Sequence, residues 1–336
     1  MMPSLATTYL GLTLGNPVIA SASPLNGKLD NIKRLEDAGA GAIVLPSLFQ
    51  EQIEAEAEEH ETLIGACANN SPEAQSYFPA SIAGPYGLGP DRYLDLVRRA
   101  REAVAIPVIA SLNGSTKAGW VEYAASIQQA GAVALELNMY HIPADLLESG
   151  RDIESRYIDI VDAVCDRITL PVSVKLTPYL SSIGHFANIL VEHGAAGLVL
   201  FNRLLQPDMD LVALRLVDTL ELSTPAELRL PLLWTAILAG RTKQASIATA
   251  TGVATSSDVV KAILAGADTV MTTSAILHGG TGTMTKLVSG LHTWMEEREF
   301  SDIAEMRGIL SWARSKDRSA YTRANYLRIL ERYSAA

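Results

Sequence analysis

The chain has only two cysteines in 336 residues, Cys67 and Cys165, so neither a disulfide framework nor a four-cysteine iron–sulfur site can be built within it. Basic charge is also scarce. With 27 Lys and Arg against 37 Asp and Glu, the formal charge is −10, which argues against a nucleic-acid surface or an anionic membrane face. No window approaches ~20 uninterrupted apolar residues, and the stretch from Met1 to Leu12 lacks the basic segment and apolar run of a secretory leader. These absences together point to the reducing cytoplasm. Aromatic residues make up only 6%, yet 48% of the chain is hydrophobic, so the core must be aliphatic, of the type that buried parallel sheets require.

What is present is repetition. A helix-ending glycine followed by an apolar run occurs at Ala38-Gly39-Ala40-Gly41-Ala42-Ile43-Val44-Leu45, Ala130-Gly131-Ala132-Val133-Ala134-Leu135, His193-Gly194-Ala195-Ala196-Gly197-Leu198 and Ala265-Gly266-Ala267-Asp268-Thr269-Val270. A second phrase places proline at a strand mouth, where no ladder bond is lost, in Asn16-Pro17-Val18-Ile19-Ala20, Ile106-Pro107-Val108-Ile109-Ala110 and Leu170-Pro171-Val172-Ser173-Val174. With Ser246–Ala250 these phrases predict eight strands, starting near residues 17, 42, 107, 133, 171, 197, 246 and 268. Amphipathic helices are predicted between most of them, over Arg92–Val104, Gly119–Ala130, Ile153–Arg167 and Ser256–Ala265.

Eight strands alternating with helices predict a closed eight-fold β/α (TIM) barrel in a single domain covering residues 1–336, with the barrel core over about 10–300 and a helical tail from about 301. An open doubly wound sheet is the alternative architecture. Two stretches exceed ordinary connections: Ser47–Pro90, with its acidic run Glu51–Glu61, and Arg203–Gly240. Following strands two and six, they belong at the C-terminal rim as lids or partner surfaces.

In a barrel the strand ends converge on one mouth. Here they read Ser21 and Ser23, Ser47, Asn113, Asn138, Lys175 and Thr177, Asn202, and Thr249 with Thr251. Three asparagines and a lysine are poor core residues, because buried polar groups need partners, so a ligand is the better account. The plainer alternative is that Asn138 and Asn202 cap turns and Lys175 pairs with Glu136. After the seventh strand, Thr251-Gly252-Val253-Ala254-Thr255-Ser256-Ser257-Asp258 opens a helix, and Thr272-Thr273-Ser274-Ala275 follows the eighth. That is where β/α barrels grip phosphate.

These residues carry a family resemblance. Asn16–Ala22, Leu135-Glu136-Leu137-Asn138, Pro171-Val172-Ser173-Val174-Lys175-Leu176-Thr177-Pro178, Gly197–Asn202 and Ala262–Asp268 together resemble the class 1 dihydroorotate dehydrogenases, in consistent order from Leu10 to about Gly280. The resemblance implies FMN across the mouth, with Ala20, Ser21 and Ala22 beneath the ring and Lys175 beside its pyrimidine edge. Asn113 and Asn138 would bond the flavin, and Asn138, Asn202 and Ser47 the substrate. Amides around Gly252, Val253, Thr273 and Ser274 would hold the phosphate. It also implies a homodimer.

The departures concern the substrate. A Lys-Ser pair usual in the family is Pro46-Ser47 here, the Pro-Asn before the second helix becomes Pro85–Pro90, and the catalytic Cys or Ser after strand four is missing from Asn138-Met139-Tyr140-His141-Ile142-Pro143. His141, whose imidazole titrates near neutrality, stands where the family places its base, and Tyr140 is the neighbouring candidate. Asp145 reads as a helix N-cap, both cysteines as structural, and Trp312 and Tyr326 as packing residues of the tail.

The expectation is an FMN oxidoreductase moving a hydride between the flavin and a small carboxylate or cyclic amide, with His141 or Tyr140 moving the proton. Two other readings compete. One is a Schiff-base lyase using Lys175 on a phosphorylated substrate. The other is an accessory flavoprotein passing electrons to a protein partner, suggested by the acidic run. No metal site is expected.

Overall fold

Runs such as Val108–Asn113 and Ala134–Asn138 are buried at every position, so each strand must be covered on both faces. A closed barrel inside a helix layer does this. The computed structural model describes residues 2–49, 90–113, 117–204, 206–217, 220–242 and 245–334. The chain begins with a hairpin, β1 (Thr7–Tyr9) and β2 (Leu12–Leu14), and then enters the barrel at β3 (Val18–Ala20). Barrel strands β4 (Ala42–Phe49), β5 (Val108–Asn113), β6 (Ala134–Asn138), β7 (Val172–Leu176) and β8 (Gly197–Leu200) follow in order. A second hairpin, β9 (Asp208–Asp210) and β10 (Arg215–Val217), interrupts before β11 (Ser246–Thr249) and β12 (Thr269–Thr272) close the ring against β3. All eight barrel pairings are parallel. The ring is closed, so the open-sheet alternative falls.

The connecting helices are α1 (Leu29–Asp37), α2 (Pro90–Ala103), α3 (Lys117–Gln129), α4 (Gly150–Arg167), α5 (Ile183–Glu192), α6 (Arg229–Leu238) and α7 (Ser256–Ala265). The recurring glycine ends its helix in the left-handed region, as at Gly131 with φ +96°, and the chain turns directly into the next strand.

Because side chains alternate along a strand, the barrel builds two cores. The outer one packs helix residues such as Ile32, Leu35, Val97, Val161 and Leu190 on the sheet. The inner one contains Ile19, Val44, Ile109, Val199 and Met271, and is plugged from below by Tyr9, Leu10 and Leu14 of the first hairpin. Apolar packing therefore fills the floor, and the polar strand ends are confined to the top.

Several expectations change. Asp145 does not begin a helix: its carboxylate accepts the Leu147 N–H at 2.9 Å in a turn, and α4 is capped by Ser149 in a reciprocal box with Asp152. Thr249 points out of the barrel to the Thr235 hydroxyl on α6, 2.7 Å away, because its place in the alternation faces the helix layer. In the tail, Trp312 stacks beneath Arg241 and meets Tyr321, but Tyr326 on the last helix is exposed. Cys165 is half-buried on α4, and burial pushes its thiol up to about 11, which suits a structural residue. Cys67 and the acidic run Glu51–Glu61 lie outside the described residues.

Candidate active site

The mouth is a cavity lined by Ser21, Ala22, Ser47, Asn138, Tyr140, Lys175, Asn202, Gly252, Val253, Thr273 and Ser274, residues from every barrel strand except β5. Most of the predicted site residues are thus brought together. Ala20 does not line the cavity but is fully buried in the outer core that faces the helices, and Asn113 stands behind Asn138, its side-chain amide donating to the Asn138 carbonyl at 2.7 Å.

The wall at β4 is shaped by proline. Pro46 has no N–H to give, and the register between β4 and β5 shifts between Val44 and Ser47. Around this bulge Tyr93 of α2 bonds both Ser111 backbone groups at 2.9 Å, and buried Asn26 donates to the Ser21 and Val44 carbonyls at 2.9 and 2.7 Å. These clamps hold the ends of β3 and β4 rigidly beside the cavity. Sequence reading missed Asn26, since an asparagine six residues beyond the end of β3 carries no local signal.

Lys175 sits at the end of β7 opposite Asn138 of β6, only 8% exposed, with its ammonium 3.7 Å from the Glu136 carboxylate. The pairing of Lys175 with Glu136 and its exposure to the cavity coexist.

A chain of hydrogen bonds runs on from Glu136. A carboxylate only accepts, so the Ser111 hydroxyl donates to it at 3.4 Å; the Ser47 hydroxyl must then donate to Ser111 at 2.8 Å, and Ser47 accepts from the Asn138 amide at 3.0 Å. Asn138 is left with its oxygen turned to the Asn202 amide, which donates to it. The buried acid therefore dictates which way both asparagine amides face.

The loops after β11 and β12 form the other wall. Thr251 and Gly252 both have positive φ, +73° and +78°, and turn the chain sharply at the strand end. The helix α7 that follows is less open than expected: Asp258 takes the Ala254 and Thr255 amides at 3.3 and 2.9 Å in a capping box with Thr255. An anion here is thus left the amides nearer the strand ends. Ser223, from the long insertion, reaches into this wall and bonds the Gly252 N–H at 3.3 Å and the Ser274 hydroxyl at 2.8 Å. Its signal was legible in part: Thr224-Pro225-Ala226-Glu227 is a capping box that folds the insertion's end onto the rim.

Tyr140 lines the mouth, whereas His141 lines a neighbouring cavity with Glu148, Tyr157, Thr177 and Tyr179. Burial, and then the Arg156 guanidinium, hold its imidazole below the usual histidine range. Glu148 lies 3.7 Å from His141 Nε2 and would act in the opposite sense, but its carboxylate is engaged by Arg156.

A closed β/α barrel with a lysine and facing asparagines in its mouth, and hydroxyl- and glycine-bearing loops after its last two strands, defines a barrel enzyme built for a phosphate-bearing cofactor. The family profile described as dihydroorotate dehydrogenase matches residues 83–295, and the chain belongs to that family. It is similar to the putative dihydroorotate dehydrogenase A (fumarate) of Aeropyrum pernix, 26% identical over 91% of this chain and 97% of the relative. Another relative is the catalytic subunit of dihydroorotate dehydrogenase B (NAD(+)) of Thermoplasma acidophilum, 26% identical over 92% of this chain and 99% of that one. The chloroplastic dihydropyrimidine dehydrogenase (NADP(+)) of Arabidopsis thaliana is 24% identical over 91% of this chain and 76% of its own length. As a family member the chain is an FMN-dependent oxidoreductase acting on CH–CH groups. No helix among the described residues is long and apolar enough to cross a membrane.

Proposed function

We propose that this mouth holds FMN and transfers a hydride between it and a small cyclic amide or carboxylate, within a single barrel domain. The observation carrying the reading is the Lys175 ammonium at the cavity wall, one strand from Asn138 and held against a buried carboxylate. The residues fit the group. Ser21 and Ala22 give a floor without bulk, Gly252 lets the loop after β11 pack tightly on the Leu228 and Thr224 backbone at the cavity wall, and Ser274 and Thr273 supply hydroxyls and amides on the same side. FMN, when bound, supplies the two-electron acceptor; the chain supplies everything that orients and charges it.

Within this reading Lys175 stabilises the negative charge of the reduced flavin, and Asn138 and Asn202 present a fixed amide edge that complements a cyclic amide or a carboxylate. Tyr140 lines the mouth and is the nearer proton carrier, and His141, in the adjoining cavity, is the other candidate. An ion-paired ammonium has no lone pair to attack a carbonyl, so the Schiff-base reading is set aside in favour of the family chemistry. The expected result is yellow protein with close to one FMN per chain, identified by mass spectrometry of the released cofactor. Colourless protein that takes up no FMN on reconstitution would overturn the reading.

The partners proposed are a second copy of the chain and an electron-transfer protein. For the first, Leu146, Leu147, Leu211, Val212 and Leu214 are almost fully exposed on connections leaving the C-terminal ends of β6 and β8, and a second copy of the chain would cover these apolar side chains. For the second, a relative is named as a catalytic subunit, which implies companions for that protein. Sedimentation at micromolar concentration is expected to give two chains, and Leu211→Asp with Leu214→Asp to give one. A wild-type monomer would remove the rim as a self-association surface.

A further inference from the structure

The Glu136 side chain has no solvent exposure, and its Oε2 has no hydrogen-bond partner among the described residues. Its Oε1 has only the Ser111 hydroxyl at 3.4 Å and the Lys175 ammonium at 3.7 Å. A carboxylate taken out of water costs several kcal/mol, and a buried ion pair is commonly no more stabilising than apolar residues of the same size. Most residues of the barrel strands are Val, Ile, Leu and Ala, and the buried polar groups among them are uncharged apart from Glu136 and Lys175, so stability alone does not account for an acid here.

The other groups facing Glu136 do not neutralise it. Tyr9, rising from the plugging hairpin, and Tyr93, behind β5, are both pushed well above the usual tyrosine range, by burial first and in part by the Glu136 charge. They remain protonated, and neither hydroxyl is bonded to the carboxylate. The one cation within 4 Å of Glu136 among the described residues is Lys175.

The geometry points to Glu136 as the positioning residue that sets the effective charge of Lys175 and thereby the reduction potential of the bound flavin. A bare ammonium at the flavin edge would favour the anionic reduced form strongly. A carboxylate behind it, in a low-dielectric interior, subtracts much of that field while tethering the flexible lysine stem at one place. The pair thus acts as a dipole with its positive end toward the mouth.

This inference rests on the placement of FMN proposed above, and the test separates the two. Midpoint potentials are measured on FMN-loaded wild type, Lys175→Ala, Glu136→Gln and Glu136→Asp. Lys175→Ala is expected to lower the potential. Glu136→Gln, which removes charge and keeps shape, is expected to raise it by roughly tenfold in the ratio of reduced to oxidised FMN affinity, which for a two-electron couple is about 30 mV. Glu136→Asp, which restores the charge, is expected to return it toward wild type. A lowered potential in Lys175→Ala beside an unchanged one in Glu136→Gln overturns the inference and leaves the functional reading intact. No shift in either, with FMN bound, overturns the placement of Lys175 itself. If Glu136→Gln does not fold, Glu136→Met, which fills the same buried space without charge, takes its place with Lys175 intact. A potential equal to wild type then overturns the inference, whereas a higher one supports it.

Discussion

Anaerobic mixing of the FMN-loaded protein with dihydroorotate is expected to bleach the flavin's visible absorbance slowly or not at all, on the order of 10⁴-fold below an orthodox member of the family. Oxidising that ring needs a base for one C–H, the flavin for the neighbouring hydride, and polar groups that hold the carboxylate. The base and two of the polar holders differ in this chain. Where the family carries a lysine after its second strand, Pro46 lines the mouth and forces the bulge in β4. Where it carries a catalytic Cys or Ser, the segment from Met139 sets Tyr140 at the mouth and turns His141 into the neighbouring cavity toward Glu148. The third, Pro85–Pro90 in place of an asparagine, lies almost wholly outside the described residues. A site built on substrate hydrogen bonds loses discrimination steeply when its polar matches are removed, because the groups left behind are desolvated without partners. Rapid, saturable bleaching that His141→Ala abolishes would show this expectation wrong and establish His141 as the base.

Gly252→Val is expected to weaken FMN binding by on the order of 10²-fold while leaving the barrel folded. Gly252 holds φ +78°, a conformation that costs a β-branched residue roughly 1–2 kcal/mol. A Cβ built there overlaps the Leu228 backbone nitrogen and comes within 2.9 Å of Leu228 Cα and the Thr224 carbonyl oxygen. Those are backbone atoms, which cannot swing away as a flexible side chain would, and forced overpacking adds roughly 1–3 kcal/mol. Relieving the overlap displaces the loop after β11 from the Leu228 and Thr224 backbone, so the strain reads as lost affinity where that loop holds the phosphate. Circular dichroism should match wild type, while FMN retained through gel filtration should fall sharply. Affinity within threefold of wild type would move the phosphate away from this loop.

The barrel itself was readable in the sequence, because glycine-ended helices and apolar runs are local devices that recur. Observed strand starts at Val18, Ala42, Val108, Ala134, Val172, Gly197, Ser246 and Thr269 lie within a residue of those expected. Lys175, Asn138, Asn202 and Gly252 were legible for the same reason: strand ends of a closed barrel share one mouth whatever the loops do.

What the linear chain could not settle were contacts made across it. Whether Lys175 pairs with Glu136 or turns to the mouth was an open choice, and only the closed barrel showed that it approaches Glu136 while lining the cavity. The clamp of Asn26, the reach of Ser223 over the Gly252 amide, and the separation of His141 from Tyr140 into different cavities depend on loops folding back over tens of residues. Local periodicity determines which face a strand buries. Which polar atoms meet on that face, and which acid is left to govern the charge of the mouth, is decided only when the ring closes and brings distant strands within hydrogen-bonding distance.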